Sequence, residues 1–300
     1  MPFHNKKWIE LVLTLKSSVI PRVWQRVVIA MIFSLIVTII YQNGIIWIHQ
    51  PILASLIPGV VLGLLLVFRT NTSYDKFWEG RKLIGGIIIS GRSLSRQMWV
   101  NIPEKTPADT EDKKATILLL AGFLIATKLH LRNESIDSKL KSVISNNQYL
   151  ELKEIHHRPL RIAKWIGDYF RKIYDLNYID SIQLSTYNQI LNMMVKDETS
   201  CERIVNTPIP LAYAIHLKHL LFLYCFALPF QLVAELSWIT IPATGIISFA
   251  LLGIEAIGLE IENPFGYDPN DLPLDNMCNR LLWDIEELMS SDSLKEYLVE

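Results

Sequence analysis

The stretch PILASLIPGVVLGLLLVFRTNTSYDKFWEGR, residues 51–81, decides how the rest of the chain is interpreted. Residues 51–68 contain no charged side chain, and Arg69 follows them directly. A helix that crosses the hydrocarbon core of a bilayer needs about 20 mostly apolar residues. Gly59 and Gly63 stand in G-x-x-x-G spacing, which offers a face on which another helix can pack closely. Residues 51–68 therefore predict a membrane-spanning helix.

An apolar stripe lies beside the two glycines. Val60, Leu64 and Phe68 recur at i, i+4 and i+8, so they share one face of the predicted helix. Contact with lipid is the ordinary role of such residues. If several copies of the chain surrounded an axis, however, the stripe would form rings of apolar side chains, a neck able to gate by dewetting. Closed cyclic symmetry is the natural way to build such a ring.

Three further apolar stretches, residues 27–48, 211–233 and 238–259, have the length of membrane spans. Together with residues 51–68 they predict two helical hairpins and four transmembrane helices. Lys and Arg residues lie on both flanks of the first hairpin, and neither hairpin turn contains one. Because Lys and Arg are retained on the cytoplasmic side, both termini of this multi-pass membrane protein are expected in the cytoplasm.

The remaining segments show apolar residues at helical spacing, which predicts an all-α membrane protein whose membrane helices continue into cytoplasmic ones. We divide the chain into five parts, and the second helix of the first hairpin is expected to line the pore. The parts are a cytoplasmic N-terminal segment (1–26), a first transmembrane hairpin (27–68), a cytoplasmic helical region (69–210), a second transmembrane hairpin (211–259) and an acidic cytoplasmic C-terminal segment (260–300).

Composition excludes several functional classes. Half of the 300 residues are hydrophobic and the formal net charge is −1, so no basic surface for nucleic acid is expected. Two histidine-containing pairs have the i, i+3 spacing of metal ligands on a helix, Glu154 with His157 and His216 with His219. Such pairs are also common surface features, so the sequence predicts no catalytic residue, no cofactor and no metal site. A metal-dependent membrane enzyme that uses these four residues is one alternative.

Four stretches carry a resemblance to a known family. VFRTNTSYDKFWEGR (67–81) and IENPFGYDPNDLPLD (261–275) resemble the bestrophin family of ion channels, and KSSVIPRV (16–23) and TPIPLAY (207–213) resemble its bacterial members. The resemblance implies a homopentamer with one central pore, an all-helical subunit with four membrane spans and a large cytoplasmic vestibule. The implied partners are other copies of the chain, the lipid bilayer and monovalent ions.

Individual residues follow from the same resemblance. Val60, Leu64 and Phe68 match the neck of the family's pore. A second, cytoplasmic constriction would lie on a helix that starts near Asn177, with either Ile179 or Ile182 as the lining residue.

A four-residue turn also matches the family. It corresponds to the turn that opens the acidic calcium-binding segment in calcium-activated animal members, and it comprises Asn263, Pro264, Phe265 and Gly266. Asp268 and Asp271 follow it, separated by Pro269 and Asn270 instead of forming an unbroken acidic run, which argues against calcium gating.

The ion that passes is not set by an apolar neck, since selectivity must come from vestibule charges and helix dipoles. From Glu260 onward acidic residues far outnumber basic ones, which favours monovalent cations such as sodium. The same carboxylates could instead neutralise the basic connector, and chloride is the alternative ion. We therefore predict a bestrophin-like pentameric channel for passive conduction of monovalent ions. A non-conducting membrane scaffold that binds a partner is the other alternative.

Overall fold

The computed structural model describes residues 18–50 and 56–290, and it contains no strand in these ranges. The all-helical fold expected from the sequence is therefore observed. Residues 51–55, the start of the second predicted span, lie outside the described residues. The described helices are α1 (Ile20–Gln42), α2 (Leu56–Asn101), α3 (Pro107–Leu131), α4 (Ser138–Ser142), α5 (Asn146–Glu154), α6 (Arg158–Asp175), α7 (Ser181–Asn206), α8 (Leu211–Leu236), α9 (Thr240–Glu260) and α10 (Leu274–Ser290).

The chain divides into two compact units. The first, here called the hairpin unit, comprises the described residues up to 77 together with 208–263 and 268–271. The second, here called the connector unit, comprises residues 78–207 and 264–267 and the described residues from 272 onward. Helix α2 is continuous from Leu56 to Asn101 and contributes residues to both units.

The hairpin unit is held by close contacts among α1, α8 and α9. Ser34 of α1 and Thr244 of α9 are fully buried, and their hydroxyl oxygens are 3.3 Å apart. A Cβ atom at Gly245 would lie 2.8 Å from the sulfur of Met31, so a larger residue there would force the Met31 side chain to move. Small residues are the usual means by which membrane helices pack closely.

The first predicted span needs a correction at both ends. Helix α1 begins at Ile20 and ends at Gln42, whereas the predicted span runs over residues 27–48. Gly44 has a φ of +92°, which stops the helix, and Ile46–Ile48 form a separate 3-10 turn. Left-handed backbone of this kind suits glycine because it has no Cβ atom. The third predicted span lies within α8, and the fourth lies within α9 except for its first two residues, which belong to the 3-10 turn Ser237–Ile239.

The connector unit is built around α3, which packs against α6, α7 and α10. By length and composition, three described segments could cross a membrane: Ile20–Gln42, Pro107–Leu131 and Leu211–Glu260. The apolar residues of α3 from Ile117 to Leu129 are almost all buried by their own unit, unlike those of α1. Helix α3 is therefore the core helix of this unit.

One buried lysine joins the end of α2 to the start of α3. The Nζ atom of Lys113 donates hydrogen bonds to the Trp99 carbonyl at 2.8 Å, the Ile102 carbonyl at 2.9 Å and Glu104 Oε1 at 2.7 Å. The carbonyls at a helix C-terminus have no partner within the helix, and a cation there is favourable. The hydrogen bond from Lys113 holds the pKa of the Glu104 carboxyl below its ordinary value.

We expect Lys113→Met to lower the stability of the protein by about 1–3 kcal/mol at pH 7, because the variant leaves buried carbonyls without a donor. Thermal unfolding of the detergent-solubilised protein measures the loss. The neighbouring Lys114→Met is the control, since Lys114 is partly exposed. The depressed pKa of Glu104 means that its contribution is present above the ordinary value of 4.5 and is lost as the pH falls below it. The difference in stability between wild type and Lys113→Met should therefore become smaller in acid. An equal loss of stability in Lys113→Met and Lys114→Met would contradict this role of Lys113.

Candidate functional site

The predicted neck residues lie on an uncovered face of α2. Val60, Leu64 and Phe68 are exposed by 60%, 53% and 55% within the single chain. On the opposite face, Leu62 and Leu66 are buried against α8. The two faces therefore have separate roles: one forms the core of the hairpin unit, and the other is available for contact with lipid, pore water or further copies of the chain.

The two glycines of the G-x-x-x-G pattern have different surroundings. A Cβ atom at Gly59 would lie 2.7 Å from the Oη atom of Tyr224 on α8, whereas one at Gly63 would meet no described atom within 4 Å. Tyr213, also on α8, donates a hydrogen bond from its Oη atom to the Leu65 carbonyl at 2.7 Å. Gly59 thus permits close packing inside the chain, and the surface at Gly63 is open.

Acidic residues near the end of the last hairpin are paired with basic ones. Within the hairpin unit, Arg22 contacts Glu260 at 3.3 Å and Asp268 at 2.5 Å. The buried guanidinium of Arg69 lies 3.4 Å from Glu262, which also accepts a hydrogen bond from a backbone amide. Three carboxylates that follow the last span are therefore paired with two arginines that flank the first hairpin.

The same pairing continues in the connector unit. Asp275 contacts Lys128 at 3.0 Å and Arg132 at 3.2 Å, and Asp284 forms an ion pair with Arg92. Although burial opposes it, hydrogen bonds from Lys128 and Arg132 hold the pKa of Asp275 below its ordinary value. Five acidic residues of the C-terminal segment thus belong to ion pairs within the chain.

An arginine side chain also binds the backbone of the Asn263–Gly266 turn. Arg132 donates from Nε to the Phe265 carbonyl and from Nη2 to the Gly266 carbonyl, both at 2.8 Å. The guanidinium carbon of Arg132 lies 4.1 Å from the centre of the Tyr267 ring. A fixed positive charge therefore already interacts with the backbone oxygens of this turn.

Hydrogen bonds between nearby residues hold the acidic stretch that follows the Asn263–Gly266 turn. The carbonyl of Pro264 accepts a hydrogen bond from the amide of Leu272 at 2.9 Å. The Oδ2 atom of Asp271 accepts one from the amide of Asp268 at 2.7 Å. Asp268 itself pairs with Arg22, so both aspartates already have partners within the chain.

Comparison with known proteins identifies the family. The family model described as "Bacterial/Fungal Bestrophin protein" matches residues 2–287. The chain belongs to this bestrophin family. A Nostoc protein named a voltage-dependent anion channel-forming protein is 51% identical over 290 residues, which cover 97% of this chain and 94% of the relative. A Synechocystis protein with the same descriptive name is 46% identical over 286 residues, covering 94% and 92%.

A solved structure supports the same assignment. The crystal structure of a bacterial bestrophin homologue from Klebsiella pneumoniae matches with a TM-score of 0.83 and 27% identity. The match covers 90% of this chain and 99% of that chain.

The helix expected to carry the second constriction begins later than predicted. Asn177 has a φ of 54° and lies just after α6, while α7 begins at Ser181 with Asp180 as its N-cap. The side chain of Asp180 accepts the amide hydrogen bond that starts the helix. Ile179 is only 5% exposed, and Ile182 is 75% exposed. Of these two isoleucines, Ile182 is the one whose side chain is accessible.

The four residues of the enzyme alternative are divided between the two units. Glu154 and His157 belong to the connector unit, while His216 and His219 are exposed on α8 of the hairpin unit. Glu154 is exposed at the end of α5. His157 instead meets three side chains that the sequence analysis did not select, His130, Glu198 and Glu202, with ligand atoms that all lie within 4.8 Å of one another. In the sequence, the i, i+4 spacing of Glu198 and Glu202 indicates that these two carboxyls share one face of a helix.

The carboxyl of Glu198 is the most deeply buried group of this cluster. It is 1% exposed, and its Oε1 atom has no hydrogen-bond partner among the described residues. Burial and the neighbouring Glu202 carboxylate raise the pKa of Glu198 to about 8.

We expect Gly80→Ala to destabilise this bestrophin, whereas Gly85→Ala on the same helix should not. A Cβ atom at Gly80 would lie 2.9 Å from Pro264 Cγ and 3.0 Å from Cζ of the buried Phe265. At Gly85 it would meet only the mobile tip of Arg81, at 3.2 Å. Both changes gain about 1 kcal/mol of helix propensity, but overpacking at Gly80 costs about 1–3 kcal/mol. Equal melting temperatures for the two variants would show that the turn does not pack firmly on α2.

Proposed function

We propose that this bestrophin is a homopentameric channel that conducts monovalent anions passively. The observation that carries the proposal is the exposed stripe of Val60, Leu64 and Phe68, opposite the face of α2 that forms the core. One chain has too few membrane helices to enclose a water path. Five copies around an axis, the number that the family resemblance implies, would turn the stripe into three apolar rings.

The proposed neck gates by dewetting. Rings of apolar side chains repel water when the passage is narrow, and an ion cannot cross a dry segment without losing its hydration. We assign the second constriction to Ile182, because Ile179 is buried within its own unit. The exposed polar residues Asn71 and Asp75 continue the face of the stripe, which supports a wetter passage beyond Phe68.

The charge pattern supports anions over cations. The case for cations depends on free carboxylates in the C-terminal segment, and Glu260, Glu262 and Asp268 are paired with Arg22 or Arg69. Pairing with two arginines lowers the negative potential that these three carboxylates can offer to cations. The Nostoc and Synechocystis relatives, at 51% and 46% identity, are named anion channel-forming proteins. We therefore propose chloride-type anions as the permeant ions.

We propose that opening does not require calcium. Calcium is bound in proteins by carboxylate and carbonyl oxygens. Arg132 already donates to the Phe265 and Gly266 carbonyls, and it would repel a divalent cation at this turn. Currents should therefore persist when calcium is chelated.

The hairpin turns support the proposed orientation in the bacterial inner membrane. The turn between α1 and α2 and the turn between α8 and α9 contain neither Lys nor Arg. Arg22 and Arg26 lie near the start of α1, and Arg69 follows the stripe. By the positive-inside rule, the ends of both hairpins face the cytoplasm.

We expect replacement of Val60, Leu64 and Phe68 together by Ala to raise conductance or open probability, because a wider neck holds water. The measurement is current through purified protein in a planar bilayer. Ile32, Ile36 and Ile39 to Ala is the matched control: it removes three exposed apolar side chains from α1. Unchanged currents in the neck variant, or equal changes in both, would mean that the stripe faces lipid.

We expect the reversal potential in a KCl gradient to lie near the equilibrium potential of chloride. The recording uses purified protein whose pentameric state is checked by native mass spectrometry. A reversal near the potassium potential would restore the cation hypothesis and show that the ion pairs do not cancel the acidic field. If the pentameric wild type and the neck variant both conduct no current, the result would favour a non-conducting scaffold.

A further inference from the structure

Four metal-ligating side chains from three helices converge on the surface of the connector unit. His130 lies in the last turn of α3, His157 is the N-cap of α6, and Glu198 and Glu202 lie one turn apart on α7. One ligand atom from each lies within 4.8 Å of the others. His130 Nε2 is 2.6 Å from Glu202 Oε1, and His157 Nε2 is 3.3 Å from the same oxygen.

We propose that His130, His157, Glu198 and Glu202 bind one divalent transition-metal ion, with Zn²⁺ as the best-fitting class. Zinc accepts imidazole nitrogen and carboxylate oxygen ligands and is bound by four of them in structural sites. Calcium and magnesium prefer oxygen ligands alone, so two histidines disfavour them. The test of this site does not depend on channel activity.

Thr199 gives the Glu198 carboxyl a side-chain hydrogen bond, but the ion pairs of the cluster leave one oxygen of this buried group unsatisfied. Glu198 Oε2 is 3.9 Å from His157 Nε2, which is too long for a hydrogen bond. Its Oε1 atom has no hydrogen-bond partner among the residues that the structure describes. A buried polar atom without a partner is costly, and a bound cation would supply the missing contact.

The chemistry of the four side chains also suits a divalent ion. The His130 and His157 rings are stacked, with centroids 4.8 Å apart and planes 23° apart. Neutral imidazole and carboxylate are the forms in which these side chains bind a metal, and a divalent ion would balance two ligating carboxylates.

His157 is expected to be the weakest ligand. Its Nδ1 atom accepts a hydrogen bond from the Leu160 amide at 3.3 Å, as the cap of α6. Ligation through Nε2 places the ring proton on Nδ1, so this cap contact must be given up. Removal of His157 should therefore reduce metal affinity less than removal of His130 or Glu198.

Isothermal titration calorimetry of the full chain in detergent, stripped with EDTA and titrated with ZnCl₂, tests the site. The expected result is one Zn²⁺ per chain. Loss of a residue that only supports a ligand weakens metal binding by about 10–100-fold. His130→Ala and Glu198→Gln should each weaken zinc binding by more than this. His156→Ala is the matched control, because His156 is exposed and its ring touches His130 only edge-on.

A spectroscopic measurement keeps the proposal testable if a variant fails to fold. X-ray absorption of the zinc-loaded wild type should show only nitrogen and oxygen ligands, at about 2.0–2.2 Å. Sulfur in the first shell would overturn the site, since no cysteine belongs to the cluster. Lack of stoichiometric binding, or undiminished binding in both His130→Ala and Glu198→Gln, would also overturn it.

Discussion

Helix α2 carries two apolar faces that need different partners, and this constraint governs the hairpin unit. Leu62 and Leu66, on one face, pack against α8 of the same chain. The described residues leave Val60, Leu64 and Phe68 largely uncovered, and each of these side chains has more than half of its surface exposed. Because apolar burial is worth about 25 cal/mol per Å² against water, such a face needs lipid or further copies of the chain. A pore lining made by several copies meets this need while allowing the passage to wet and dry.

Ion pairs act together with buried apolar side chains such as Phe265 and Leu281 to bind the C-terminal segment to the helices it meets. Arg22 joins Glu260 and Asp268 in the hairpin unit, and Asp275 joins Lys128 and Arg132 in the connector unit. Charges that leave water are tolerated when each has a well-placed partner. Counting acidic residues along the sequence therefore overstates the negative field that an ion would meet, because the sequence does not reveal which carboxylates are paired.

The sequence predicted features that depend on local patterns and missed those that depend on tertiary contact. Apolar runs predicted α8, α9 and the exposed stripe on α2, because hydrophobic length and the 3.6-residue period act within one helix. The end of α1 was misplaced because Gly44 takes a left-handed backbone inside an apolar stretch. The start of α7 was misplaced because the Asp180 cap outweighs the preceding apolar residues. The cluster of His130, His157, Glu198 and Glu202 could not be found from spacings, because 72 positions separate His130 from Glu202.

The last turn of α3 shows why the cluster around His130 differs from its neighbours. On one side of that turn, Lys128 and Arg132 meet the carboxylates of Asp137 and Asp275, so permanent cations balance the acids. His130 projects from the same turn toward Glu202, and its group contains two carboxyls and two imidazoles but no permanent cation. Basic groups suit this position because the helix C-terminus carries partial negative charge. The balance at Lys128 is built into the chain, whereas the four ligating side chains at His130 include no permanent cation. A divalent metal ion would supply that charge and contact the buried carboxyl of Glu198, whose Oε1 atom has no hydrogen-bond partner among the described residues.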